Sequence, residues 1–188
     1  LKMANGPQKF SFCDHPRLFI GSEALHSLQP QSPERVDLGP LKLYLREYDL
    51  PDIELLAQRM RSAHEQGRSV AIHCVTLVEL HVALAALADA GVRRGDRIEH
   101  GAIADDYALQ RLAELGVAVI TQPHFIAERG DQYLRDVEAE DIPLLYRGAG
   151  FLRHDVKLAG GSDAPYGSID PWASMRAAVE RRSAAGVV

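Results

Sequence analysis

The sequence predicts a parallel α/β architecture, and three observations carry that reading. Strand-like apolar runs alternate with amphipathic helical stretches about five times, the pattern of βα units joined by right-handed crossovers. The run Val70-Ala71-Ile72-His73-Cys74-Val75-Thr76 is apolar until it ends in a histidine, a thiol and a hydroxyl. Such a run reads as a strand buried on both faces of a parallel sheet. The same grammar returns in 96–100, ending at His100, and in 156–163, ending at Asp163. Three strands thus each bring a metal-competent side chain to one rim, where such sheets and barrels bind ligands. An open doubly wound sheet and a (β/α) barrel compete. A complete barrel needs about 250 residues, so a chain of 188 would hold only its later strands.

The elements follow in order. Residues 1–37 are poorly assigned: Arg17-Leu18-Phe19-Ile20-Gly21 reads as a strand, His15 before Pro16 as extended or turn backbone, and 29–33 as a loop. From 38 to 188 the chain reads as β/α units within a single domain spanning 1–188. Leu41 to Leu45 alternates apolar and polar residues as a strand does. Asp49 and Pro51 then mark a helix start, and Ile53, Leu56, Met60 and Ala63 recur at helical spacing as its buried stripe. Gly67 ends that helix. A second helix runs from Leu77 to Ala90, with Leu77, Leu80, Leu84 and Leu87 inward and Gly91 as its stop. Asp105 and Asp106 open a third, because negative charge is favoured at a helix N-terminus. Leu109, Leu112 and Ala113 face inward, and Gly116 stops it.

Val117 to Thr121 reads as another buried strand, closed by Pro123. Residues 124–148 carry turn signals and read as an irregular cover, with Arg129-Gly130-Asp131 as a solvated loop. A short helix is expected over 150–154. After Asp163, Asp170-Pro171 caps a last helix whose buried face is Trp172, Met175 and Val179.

Bulk composition removes whole classes of function. A net charge of −5 gives no electrostatic case for nucleic acid. No apolar segment is long enough to span a membrane, and no signal peptide is visible. Cys13 and Cys74 form no CxxC pair, and Cys74 reads as a reduced core thiol, which points to the cytoplasm.

The ordered set Lys42, 71–76 with His73, 97–100 with His100, Thr121-Gln122-Pro123, and Gly161-Ser162-Asp163-Ala164-Pro165 resembles the amidohydrolase superfamily, in its amidohydrolase-3 branch of metal-dependent hydrolases. Each motif alone is weak; the set in order is specific. The resemblance covers residues from Gly39 to the end and implies part of a (β/α)8 barrel, mainly the later strands. It implies His73 and His100 as metal ligands at the ends of the fifth and sixth strands. It implies Asp163 as the eighth-strand aspartate, which touches metal and takes a proton from the attacking water. Lys42 falls where many members carry a carboxylated lysine bridging two metals; a protonated ammonium is no ligand. The family's first-strand His-x-His pair is absent, since no two of the eight histidines are separated by one residue. The implied activity is hydrolysis of a non-peptide C–N bond, in an amide or cyclic amide, by metal-activated water with an Asp base. The implied cofactor is a divalent metal, zinc first, with iron, manganese or cobalt as other choices.

Each of these residues has a plainer reading. A strand-end histidine is often a structural hydrogen-bonder, Asp163 suits a turn, and Lys42 on an alternating strand can point to solvent. Glu99 is expected on the strand face opposite His100, paired with an arginine. His124 and Tyr166 are candidate substrate contacts, against ordinary loop residues. His64 and His81 are expected on helix surfaces away from the rim. The alternative function is a metal-free α/β binding or interaction domain, or an inactive fragment of such a hydrolase. The expected partner is a small-molecule substrate. The edges of an unclosed barrel also invite pairing with another copy, giving a homo-oligomer.

Overall fold

A computed structural model of the chain describes residues 17–21, 37–186 and 188. The readings of His15, Cys13 and the 29–33 loop lie outside them. Six parallel strands form one sheet: β1 (Arg17–Gly21), β2 (Asp37–Tyr44), β3 (Val70–Cys74), β4 (Arg97–His100), β5 (Ala118–Thr121) and β6 (Leu158–Gly160). The strands lie side by side in chain order. A doubly wound sheet reverses that order at a switch point. The uninterrupted order is that of a barrel arc, so the competition is settled for a partial (β/α)8 barrel.

Helices α1 (Ile53–Glu65), α2 (Leu77–Ala90), α3 (Asp106–Leu115) and α5 (Gly148–Arg153) share one apolar core with one face of the sheet. Leu41, Leu43, Ile72, Cys74, Ile98 and Val119 meet Leu56, Met60, Leu80, Leu87, Leu112 and Phe151 there. Phe151 is completely enclosed, and burying a side chain of that size contributes about 1.5–3 kcal/mol.

The other face carries Lys42, Tyr44, His73, Arg97, Glu99 and Ile120 on successive strands. The register aligns Lys42 with Ala71 and Arg97, and Tyr44 with His73, Glu99 and Ile120. These positions are half-buried or exposed. β3 is buried on both faces as its apolar run predicts, except at His73, its one half-buried position; beside His73 this face becomes polar.

Several boundaries move for local reasons. Helix α1 is capped by Asp52, whose carboxylate accepts the N–H groups of Glu54 and Leu55, while Asp49 lies in a preceding 3-10 turn. Ile53 drops out of the buried stripe, and Ala57 joins Leu56, Met60 and Ala63. Helix α2 matches its predicted limits and begins with a Thr76–Glu79 capping box, a device of about 1 kcal/mol. Asp105 caps α3 and Gly116 closes it with a left-handed φ of 68°.

Residues 124–148 are not an irregular cover. Helix α4 (His124–Asp136) fills half of the span, followed by a 3-10 turn at Ile142–Leu144. Its signal was the spacing of Ile126, Gly130, Tyr133 and Val137, a helical period masked by intervening polar residues. No side chain caps its start. Arg129-Gly130-Asp131 is part of this helix rather than a solvated loop. Helix α6 (Pro171–Glu180) is capped by Asp170 as predicted, but the expected buried face is open. Trp172, Met175 and Val179 are 72%, 60% and 84% exposed, and Ala177 is the buried position. The helix packs on α4 through its opposite side. Amphipathic spacing marks a face that can be buried, not that a partner is there.

Candidate active site

β3 and β4 bring two imidazoles together at their carboxyl ends. The His73 and His100 rings lie edge to face with centroids 4.5 Å apart. Strict strand alternation would prevent this, because His100 is in register with Cys74, and Cys74 points into the helix-side core. The backbone breaks the alternation. His100 has φ 71°, and the Gly101 N–H bonds to the Glu99 carbonyl at 3.1 Å across it. A tight three-residue turn of this kind is strained for a residue with a Cβ. Gly101 follows at φ 52°, which glycine tolerates.

Each ring is held from outside. His100 Nδ1–H donates to Gln122 Oε1 at 2.7 Å, both side chains being buried. That bond leaves the Nε2 lone pair available, which is how an outer acceptor prepares a histidine for metal. His73 is stacked on Tyr44, centroids 3.9 Å apart and rings within 15° of parallel. Arg46 lies 5.0 Å from the centre of the same tyrosine ring. Burial, then the charges of His100, Lys42 and Arg46, push His73 down to about 3. Its imidazole is therefore neutral at physiological pH, the form that binds metals.

Lys42 projects from β2 two residues before Tyr44, hence on the same face. Burial lowers its ammonium below the ordinary range, helped by Arg97 and opposed by Glu99, Asp163 and Cys74. Glu99 pairs with Arg97 at 2.7 Å, as expected, but it does not lie opposite the His100 ring: it is in register with His73, to which that ring turns. Cys74 is a free, buried thiol, raised by burial and by Glu79. The Glu79 carboxylate is a local clamp: it accepts the N–H groups of Val75 (2.6 Å), Thr76 (3.1 Å) and Glu47 (3.0 Å). It thus ties the segment after β2 to the turn that follows His73.

Asp163 lies three residues past β6, exposed, at φ 51°. It is within electrostatic range of Lys42. His73, His100 and Asp163 all belong to the carboxyl ends of parallel strands. Among the described residues, however, no three His, Cys, Asp or Glu side chains are close enough together to hold a metal ion. The structure brings the two histidines into a pair and leaves Asp163 outside it. A neutral His73 imidazole, and a His100 ring whose Nδ1–H is already bonded to Gln122, fit a divalent metal in donor chemistry.

The two substrate-contact candidates separate. His124 is 1% exposed. Its Nε2–H donates to the Ser162 carbonyl at 3.2 Å, and its Nδ1 accepts from the Ser174 hydroxyl at 3.3 Å. Tyr166 is exposed. His64 and His81 are not free surface residues: His64 pairs with buried Asp96 at 3.0 Å, and His81 with Asp105 at 3.2 Å. From sequence, Gln122 stands only within the Thr121-Gln122-Pro123 motif, with no role, and Tyr44 is given none. Tyr44 was signalled by its two-residue offset from Lys42, and Gln122 only by its place before Pro123.

A family model described as "Amidohydrolase family" matches residues 20–188. YtcJ of Bacillus subtilis (strain 168), a protein named as an amidohydrolase, is 28% identical over 134 residues, covering 70% of this chain and 25% of YtcJ. Protein LONG AFTER FAR-RED 3 of Arabidopsis thaliana is 27% identical over 140 residues, covering 71% of this chain and 24% of that protein. Among solved structures, an uncharacterized metal-dependent hydrolase from Pyrococcus horikoshii OT3 superposes with a TM-score of 0.72 at 26% identity, covering 87% of this chain and 38% of that one. Another, from Pyrococcus furiosus, gives 0.70 at 25% identity, covering 85% and 39%. The chain thus spans about a quarter of the length of these curated relatives.

Proposed function

Because this chain belongs to the amidohydrolase family, we propose that it supplies the later strands of the catalytic barrel of a metal-dependent hydrolase. The reaction is hydrolysis of a non-peptide C–N bond in a small-molecule amide or cyclic amide. The observation that carries this reading is the His73–His100 pair, one ring neutral through burial and the other oriented by Gln122.

In this reading His73 and His100 hold a divalent ion, zinc first, with Lys42 and Asp163 completing the set from their own strands. Such an ion supplies Lewis acidity and lowers the pKa of water to about 7. Asp163 accepts the proton of the attacking water and passes it to the leaving nitrogen. The lowering of the Lys42 ammonium by burial raises the share of free amine, the form able to add CO₂ and become a carboxylate-type donor. Tyr166, exposed beside the Asp163 turn, is the substrate contact we retain. His124, with both nitrogens engaged, serves the loop instead. The unpaired thiol of Cys74 suits the reducing cytoplasm. No described helix is long and apolar enough to cross a membrane. A homo-oligomer formed through the outer edges of the described sheet is part of the same proposal, and light scattering of a monodisperse monomer would count against it.

Elemental analysis after chelator-free purification tests the main reading. Stoichiometric divalent metal, lost in His73→Ala and in His100→Ala, is the expected result. The lack of a three-donor group among the described residues favours the second reading, a metal-free binding domain or an inactive fragment. Absence of metal from the wild-type protein, together with no turnover of simple amides, decides for it.

A further inference from the structure

We propose that helix α4 is the platform that sets the position of the Asp163 turn, with His124, Glu128 and Arg129 as its positioning residues. The inference rests on the reading of Asp163 as the proton acceptor. Asp163 is exposed, and the segment 161–168 sits at the end of the shortest described strand. Its internal bonds are few: the Tyr166 and Gly167 N–H groups bond to the Asp163 carbonyl at 2.9 and 3.2 Å, and the Ala164 N–H to Ser162 Oγ at 3.3 Å. A turn with so little of its own holding it together wanders unless something else fixes it.

Helix α4 fixes it at three points that flank Asp163 on both sides. His124 Nε2–H donates to the Ser162 carbonyl at 3.2 Å, one residue before Asp163. Arg129 donates to the Tyr166 carbonyl at 2.6 Å, three residues after it. Glu128 Oε1 accepts the Ser168 N–H at 3.1 Å. Arg129 also lies over two mutually perpendicular rings, its guanidinium carbon 4.4 Å from the Phe125 centroid and 4.0 Å from that of Tyr166. Its Nη1 pairs with Glu128 at 3.0 Å, so the two charged anchors brace each other. His124 and Glu128 are four residues apart, on one side of the helix. Gly167 makes the fit close, since a Cβ there would stand 2.5 Å from His124 Nε2 and 2.5 Å from the Ser162 carbonyl oxygen. The bonds to charged groups are the stronger kind. Placement at this scale matters, because small displacements of a reacting group cost large factors in rate.

Amide hydrogen exchange on the 188-residue chain, without metal or substrate, tests the assignment. Arg129→Ala is expected to speed exchange at Tyr166 and Gly167 about tenfold or more, and Glu128→Ala to do so at Ser168. Glu128→Gln keeps an acceptor oxygen and is expected to exchange as wild type. Amides of β3 and β4 remain protected in all three. Unchanged exchange in both alanine variants overturns the proposal, as does acceleration spread equally through β3 and β4. Because the readout needs no activity, a loosened turn in a protein that binds no metal supports the positioning role while the hydrolase reading fails on its own test.

Discussion

Gln122 is the residue whose removal tests the candidate site most directly. It is buried, its Oε1 accepts from His100 Nδ1 at 2.7 Å, and its Nε2 donates to the Ile120 carbonyl at 3.4 Å. Gln122→Leu keeps the bulk and removes the acceptor. A buried N–H left without a partner costs about 1–3 kcal/mol. The imidazole avoids that cost by moving its proton to Nε2, which occupies the lone pair a metal would use. Losing such an outer partner weakens metal affinity about 10–100-fold, or about 1.4–2.8 kcal/mol at 1.4 kcal/mol per decade. The fold loses about one net hydrogen bond, a Tm change of roughly 2–4 °C for a chain of this size. Nitrogen-15 NMR of the imidazoles reads the tautomer, and zinc titration against a chromophoric chelator reads the affinity. A wild-type tautomer in Gln122→Leu, with zinc affinity unchanged, refutes the reasoning.

Three further outcomes are expected. The carboxylate of Asp96 is fully enclosed and accepts the N–H groups of Val70 (2.8 Å) and Arg93 (2.7 Å) as well as His64 Nε2–H (3.0 Å). Asp96→Ala should therefore cost about 3 kcal/mol in urea unfolding with bound metal unchanged, since Asp96 precedes β4 at the end opposite His100. Gly167→Ala places a methyl against His124, Ser162 and Phe125, and the overpacking should cost about 1–3 kcal/mol by the same measurement; a neutral result would mean that the turn is looser than described. In metal-free protein, His73 binds its proton only near pH 3, against an ordinary 6.5. The unfolded chain takes up that proton first as pH falls, so this contribution to stability is complete above about pH 6.5 and declines toward 3. Wild type should lose stability relative to His73→Gln over that window, and a pH-independent difference would count against the buried neutral ring.

Sequence alone was enough for the elements whose signals are local. Helix α2 is legible at its observed limits because a leucine stripe and a stop glycine mark it locally; the Thr76–Glu79 capping box is added by the structure. The strands ending near His73 and His100 were legible for the same reason, as was the chain-order alternation of strands and helices. Helix α4 was obscured because its start lacks a side-chain cap and polar residues interrupt its period.

What required tertiary structure was every relation between segments distant in the chain. Periodicity gave α6 an apolar face, but only packing shows that Trp172, Met175 and Val179 have no described cover. Strand alternation predicts His100 on the core side, and only the left-handed backbone at that residue turns its ring to His73. Residue types and their order named the candidate donors, because the chemistry of an imidazole or a carboxylate belongs to the side chain itself. Distance, tautomer and protonation belong to neighbours, so Gln122 beside His100 and the separation of Asp163 from the histidine pair emerged only once the chain was folded.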